Sequence, residues 1–244
     1  MAQKVKILLT EIDCLTQSEV IDEIAAFVAS QEPHYIVTAN AEITYMAWQD
    51  SKMQQVVNNA SLVTADGSGI LWAANELGTP LKERVTGIDL VYAICEEAAK
   101  KDWKIYLLGA VEGVAAEAAK RLTEQYHCNI IGTHHGFLRD KEVNQAVLAE
   151  LTAKKPQIVL VAMGPPRQEY WITEHMSELP PAVYMGIGGS LDVISGNLKR
   201  APLWVQKLSL EWLYRVIKQP SRFKRVLALP KFMRAVKKQK KHKL

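Results

Sequence analysis

The chain has 244 residues, 48% of them hydrophobic and 23% charged, which suits one globular domain with a real core and room for an appendage. Internal repeats are absent, no apolar run is long enough to span a bilayer, and the N-terminal stretch lacks the small-residue cleavage site of a signal peptide. The net charge of +4 conceals a split: residues 199–244 carry 15 Lys and Arg against the single acid Glu211, a net +14, while residues 1–198 carry −10. That polarity asks for an anionic partner at the C-terminal end, with nucleic acid, a membrane surface and phosphorylated substrates as the candidates.

In chain order, short β-rich runs alternate with helical patterns. Strands are expected at Val5–Leu9, Tyr35–Thr38, Ser61–Ala65, Lys104–Leu108, Asn129–Gly132, Gln157–Ala162 and Ala182–Ile187. Thr16-Gln-Ser-Glu19 fits a capping box, and Val20, Ile21, Ile24 and Val28 follow at helical spacing. Further helices are expected over Glu42–Trp48, Ile70–Leu77, Ile88–Lys100, Val114–Tyr126, Lys141–Ala153 and Arg167–Ser177. This alternation predicts an α/β fold: a mostly parallel sheet with helices on both faces. The character changes near Asn197, so the chain divides into a core, 1–197, and a basic amphipathic helical appendage, 198–244. In the appendage Leu203, Trp204, Leu208, Trp212, Leu213, Val216 and Ile217 recur at roughly helical spacing among arginines and lysines. Lys237, Lys238, Lys240, Lys241 and Lys243 read as a solvated polybasic end. Cys14, Cys95 and Cys128 are far apart and form no CxxC pair, as expected of reduced, buried thiols.

In sheets of this type ligands bind at the carboxyl ends of the strands, and five polar or glycine-rich turns fall there, after residues 37, 65, 108, 163 and 185. Asp66, directly after Leu62-Val-Thr-Ala65, is either the N-cap of the next helix or a general base able to take a proton from a sugar hydroxyl. Thr38 and Asn40 are a capping pair or a sugar-binding pair. Gly109-Ala-Val-Glu-Gly113 lacks the full dinucleotide fingerprint and is compatible with any tight turn before a helix, though it could set a helix N-terminus near a nucleotide. His134 and His135 have no third ligand at metal spacing, and the chain contains no Asp-x-Asp. A leaving diphosphate would then need arginines, and Arg215, Arg222 and Arg225 are candidates, unless they are simply solvated or lipid-facing.

Several stretches together resemble the TagA/WecG/CpsF family of glycosyltransferases: Thr38-Ala-Asn-Ala-Glu42, Asp66-Gly-Ser-Gly69, Arg84-Val-Thr-Gly-Ile-Asp89, Tyr106-Leu-Leu-Gly109, Thr133-His-His-Gly-Phe137, Gly164-Pro-Pro-Arg-Gln-Glu169, Gly186-Ile-Gly-Gly-Ser-Leu-Asp192, Gly196-Asn-Leu-Lys-Arg-Ala-Pro202, Glu211-Trp-Leu-Tyr-Arg215 and Pro220-Ser-Arg-Phe-Lys-Arg225. They span almost the whole chain in order. The resemblance implies an inverting transferase with a Rossmann-like core that needs no metal or other cofactor. Its TagA-type members move N-acetylmannosamine from UDP-ManNAc to C4 of GlcNAc-diphosphate-undecaprenol, starting the wall teichoic acid linkage unit. Carried over by position, Asp66 is the base; Thr38, Asn40 and Gln168 line the sugar site with Arg84 beside it; and Arg215, Arg222 and Arg225 close over it. Gly109, Phe137, Gly188 and Asp192, in the matching stretches, are further substrate-binding positions. The expected partners are the UDP-sugar, the polyprenyl-diphosphate acceptor and an anionic membrane surface, with no nucleic acid and with self-association left open. The expected location is cytoplasmic, peripheral to the inner face of the cell membrane.

Three alternatives stand beside this reading. A different donor, UDP-ManNAcA or another UDP-hexose, would serve another surface polysaccharide. A nucleotide-dependent oxidoreductase would need the glycine fingerprint that is incomplete here. A membrane adaptor would leave the polar strand ends without a role.

Overall fold

The computed structural model describes residues 3–208, 210–218 and 227–242. Its centre is a six-stranded, wholly parallel sheet. The strands are β3 (His34–Ala39), β4 (Leu62–Ala65), β5 (Lys104–Gly109), β6 (Asn129–His134), β7 (Ile158–Ala162) and β8 (Val183–Gly186), in the spatial order β4-β3-β8-β7-β5-β6. The fold is α/β with a parallel sheet, as the alternation predicts, and it is Rossmann-like. Strand side chains divide by parity between two hydrophobic cores, as the twofold period of a strand dictates. Tyr35, Val37, Tyr106, Leu108, Val159, Val161 and Tyr184 enter one core, and Ile36, Ile105, Leu107, Ile158, Leu160, Val183 and Met185 enter the other.

The second core is covered by α1 (Gln17–Ser30), α5 (Gly87–Lys101), α6 (Val114–Tyr126) and the short α9 (Ser190–Ile194). On the first lie α2 (Ala41–Gln49), α3 (Ser51–Asn58), α4 (Ser68–Glu76), α7 (Lys141–Lys154) and α8 (Arg167–His175). The capping box of α1 is present: the Glu19 N–H donates to Thr16 Oγ1 at 3.2 Å, and the Thr16 N–H donates to Glu19 Oε2 at 2.7 Å. Cys14, Cys95 and Cys128 are free thiols and buried.

Two features depart from the sequence expectation. The first strand, β1 (Lys4–Ile7), ends at a tight turn where Leu8 takes φ 55°, and it pairs antiparallel with an unexpected β2 (Thr10–Asp13). This hairpin serves the edge strand β4, whose Val63 N–H donates to Asp13 Oδ2 at 2.9 Å; an unpaired edge would otherwise invite foreign strands. Helix α3 was also unexpected; Asp50 both ends α2 and caps α3 through its side chain.

Beyond the core come α10 (Leu203–Lys207), α11 (Glu211–Lys218) and α12 (Ala228–His242). These differ in how they are held. In α12, Phe232, Val236 and Gln239 share a face at i, i+4, i+7 and are buried, the first two within the core that α2 and α4 also cover. Lys237, Lys238, Lys240 and Lys241 are exposed on the same helix, and Lys240 pairs with Glu76 of α4 at 3.0 Å. These four lysines are therefore one face of a docked helix, and Lys243 lies outside the described residues. No helix among the described residues is long and apolar enough to cross a membrane.

Candidate active site

The backbone at the carboxyl ends of β3 and β4 brings two turns together. The Asp66 N–H donates to Ala39 O at 2.8 Å, so Asp66 leaves β4 beside Asn40 leaving β3. The Val85 N–H donates to Ala65 O at 2.9 Å, which places Arg84 alongside the same strand end. These turns, with those after β7 and β8, surround a cavity of about 550 Å³, a size suited to a small-molecule ligand. Thr38, Asn40, Asp66, Arg84, Gln168 and Gly188 all line it, so six residues singled out from the sequence meet in one place. Glu211, Trp212 and Val216 of α11 and Leu229 and Met233 of α12 line it too, so the chain beyond residue 198 forms part of its wall.

Local chemistry divides these residues by what each has left to offer. Asn40 is the N-cap of α2, its Oδ1 accepting from the N–H groups of Glu42 and Ile43, both at 3.0 Å. Its acceptor is committed, and its amide hydrogens are what it can present to a ligand. The Thr38 hydroxyl donates to Gly186 O at 2.9 Å, tying β3 to β8; only its lone pairs remain. Asp66 stands directly before Gly67, which holds the N-cap position of α4 at φ 88°, ψ 155°.

Gln168 and its neighbour Glu169 are the most constrained pair, each 1% exposed. Gln168 Oε1 accepts from the Gly164 N–H at 3.1 Å and the Gly188 N–H at 3.0 Å, joining the turns after β7 and β8. Its Nε2 donates to Glu169 Oε1 at 2.7 Å. Burial pushes the Glu169 carboxyl up to about 7, with Glu42 adding like-charge repulsion. Its Oε2 has no hydrogen-bond partner among the described residues.

Gly109, Phe137 and Asp192 are not among the lining residues. Gly109, at φ 141°, packs on the end of β7, where an added Cβ would fall 2.5 Å from the Ala162 backbone. Phe137 is exposed beside His135, and Asp192 sits half-buried in α9, two residues past the lining residue Ser190. Arg215 falls on α11 immediately before Val216. Arg222 and Arg225 lie outside the described residues. No group of three or more His, Cys, Asp or Glu that could hold a metal ion is found among the described residues.

Sequence reasoning missed several lining residues. Thr86 and Ile88 belong to the stretch that begins at Arg84, and Trp72 lies on α4, which Asp66 precedes; their positions were readable as neighbours of a site. Leu229 and Met233 gave no signal, because only the docking of α12 brings them there.

An open parallel sheet with a cavity at its strand ends, lined by both polar and apolar side chains, defines an α/β protein of the Rossmann-like class. The family model described as "Glycosyl transferase WecG/TagA/CpsF family" matches residues 5–244. The chain is similar to an N-acetylglucosaminyldiphosphoundecaprenol N-acetyl-beta-D-mannosaminyltransferase of Bacillus spizizenii, 34% identical over 91% of this chain and 89% of that protein. A Staphylococcus aureus protein of the same name is 36% identical over 98% of this chain and 94% of its own length. The chain belongs to the WecG/TagA/CpsF family and is a glycosyltransferase.

Proposed function

We propose that this enzyme transfers N-acetylmannosamine from UDP-ManNAc to the C4 hydroxyl of GlcNAc-diphosphate-undecaprenol, with inversion and without a metal, at the inner face of the cytoplasmic membrane. The observation that carries the reading is the meeting of Asp66 and Arg84 with Thr38, Asn40, Gln168 and Gly188 around one cavity. The names of the Bacillus and Staphylococcus relatives support the sugar and the acceptor.

The chemistry is a single displacement. The Asp66 carboxylate takes the proton of the acceptor hydroxyl as its oxygen attacks the anomeric carbon from the face opposite the nucleotide. The bond from the anomeric carbon to the diphosphate oxygen breaks, and its electron pair leaves with UDP. Arginine supplies the positive charge that stabilises the departing diphosphate. Arg84 lines the cavity; Arg215, Arg222 and Arg225 are assigned to the same task, with Arg215 on the helix that contributes Trp212 and Val216 to the wall. The amide hydrogens of Asn40 suit the acceptor oxygens of a sugar. Gly109, Phe137 and Asp192, not among the lining residues, are assigned to the nucleotide half of the donor. Residues 198–244 are assigned to membrane docking and to completing the site.

The test is direct. Purified full-length protein is given UDP-ManNAc and a short-chain GlcNAc-diphospholipid, and the product is analysed by mass spectrometry and NMR for a β-linked disaccharide. Transfer from UDP-ManNAcA or another UDP-hexose in place of UDP-ManNAc would move the assignment to a different donor within the family.

A further inference from the structure

We propose that Glu169 is a positioning residue for sugar transfer: its buried carboxylate oxygen holds the Gln168 side chain, and through it the turns after β7 and β8, in the shape that receives the donor. The proposal rests on the reading of the cavity as the transfer site.

Gln168 is held from three sides. Its Oε1 takes both the Gly164 and the Gly188 N–H, which uses the two lone pairs of that oxygen. Gly186 has no side chain to displace it, and a Cβ there would lie 2.5 Å from Gln168 Nε2. The third restraint is the 2.7 Å bond from Nε2 to Glu169 Oε1, a hydrogen bond to an ionisable acceptor and so of the stronger kind. With one amide hydrogen fixed on Glu169 and the oxygen fixed on two backbone groups, the second amide hydrogen is the one group Gln168 has left for a ligand. The turns it joins supply Pro165, Gly188 and Gly189 to the cavity wall.

Glu169 is a poor choice for stability alone. A carboxyl at 1% exposure with one oxygen lacking a hydrogen-bond partner among the described residues carries a desolvation penalty. The titratable groups it feels are Glu42 on α2, which repels it, and the phenols of Tyr35 on β3 and Tyr170 on α8, whose ionisation it opposes; none carries a positive charge. The side chain answers to a geometric need: an acceptor within reach of Nε2, on the helix that carries Gln168.

Two variants of the full chain separate reach from charge. Glu169→Gln keeps an acceptor oxygen at the same distance; Glu169→Asp keeps the charge but withdraws it by one methylene. The measurements are donor KM and kcat, UDP affinity by calorimetry, and amide hydrogen exchange of the segments containing Gly164 and Gly188 in the ligand-free protein. The expected result for Glu169→Gln is donor KM within about threefold of wild type and unchanged exchange, on the 10-fold-per-1.4 kcal/mol scale of a retained contact. For Glu169→Asp the expected result is a rise of about tenfold or more in donor KM, a smaller change in kcat, and faster exchange in both segments, since small misplacements at a site are amplified. Wild-type KM and exchange in Glu169→Asp would overturn the proposal, as would a Glu169→Gln variant as impaired as Glu169→Asp. Should Glu169→Asp not fold, Glu169→Ala serves the same arm. If the wild type neither binds UDP nor transfers sugar, the functional reading fails by itself, while the exchange data still decide whether Glu169 holds the two turns.

Discussion

Gln239, near the end of the chain, hydrogen-bonds Leu8, near its beginning: Gln239 Oε1 accepts from the Leu8 N–H at 2.7 Å across 231 residues of sequence. Gln239 Nε2 also donates to Lys6 O at 3.3 Å, so one buried amide holds both β1 and the turn residue that follows it. Leu8 is the residue at φ 55°, and its N–H has no strand partner at the turn. Removing the amide leaves a buried donor unsatisfied, which costs about 1–3 kcal/mol. Gln239→Leu is expected to lower the urea midpoint accordingly without changing UDP affinity, and equilibrium unfolding followed by circular dichroism measures it. Deleting residues 228–244 uncovers the sites of Phe232 and Val236 as well; such a protein is expected to unfold or aggregate, which size-exclusion chromatography would reveal. A test of the appendage must therefore leave α12 in place.

That contact marks where sequence reading ended. The sheet, its parallel sense and most of its helices were legible, because buried parallel strands are unbroken apolar runs and the surrounding helices carry a clear 3.6-residue period. The hairpin was not: Leu8 turns the chain without glycine, and Thr10-Glu-Ile-Asp13 is too short and polar to stand out. In α12 the period of Phe232, Val236 and Gln239 was present but lay among lysines that drew the eye to charge. At the site, residue identities were legible and commitments were not. Nothing in the sequence says that Gln168 spends its oxygen on two backbone groups, or that Glu169 turns inward to meet it.

Asp66→Asn isolates the proton-transfer role. Gly67 holds the N-cap position of α4, and an amide at position 66 keeps a side chain of the same size with an acceptor oxygen there. The variant is expected to keep its unfolding midpoint and UDP affinity and to lose about 10²–10⁴-fold in kcat, the usual contribution of a positioned base. Steady-state transfer assays beside calorimetry check this. Turnover near that of wild type would remove Asp66 from the role.

Metal independence follows from assigning diphosphate neutralisation to arginine. Initial rates are expected to be the same, within error, in excess EDTA and in magnesium or manganese. A loss in EDTA that either ion restores would place a Lewis acid on the diphosphate.

Glu169 gives a pH signature in stability, separate from its part in catalysis. Its carboxyl is raised from the ordinary 4.5 to about 7. Between those values the folded protein holds a proton that the unfolded chain has released, so stability falls as pH rises, and above about 7 the loss is complete. The span corresponds to a loss on the order of 3 kcal/mol. Glu169→Gln has no such proton. Its urea midpoint relative to wild type is expected to rise from pH 4.5 to pH 7 and then level off; a difference that stays flat over this range would show that the carboxyl ionises normally.

The proposed docking of the appendage on a membrane is tested at the exposed side chains of α10 and α11. In α11, Trp212 and Val216 stand one turn apart and line the cavity, Trp212 while still partly exposed, and Ile217 is 68% exposed. In α10, Val205 is buried while Leu203 and Trp204 are exposed, Trp204 at 65%, and Leu208 extends the exposed set. Each helix thus has side chains built into the protein and large apolar groups presented to solvent. Lys218, Lys231, Arg234, Lys237 and Lys238 are exposed in the helices at this end of the chain. Exposed large apolar side chains together with exposed cations in this part of the chain are what binding to an anionic bilayer requires: the apolar groups enter the acyl boundary and each cation near the surface contributes about 1 kcal/mol. Burying one large side chain contributes about 1.5–3 kcal/mol. Trp204→Ala with Ile217→Ala is therefore expected to weaken binding to phosphatidylglycerol-containing vesicles by at least about tenfold, and raised salt to weaken what remains by screening the cations. The same double variant is expected to turn over a water-soluble acceptor analogue at the wild-type rate, because neither side chain lines the cavity. Vesicle sedimentation at two salt concentrations, run beside that assay, measures both. Vesicle binding unchanged in the double variant would mean that these exposed side chains face something other than lipid.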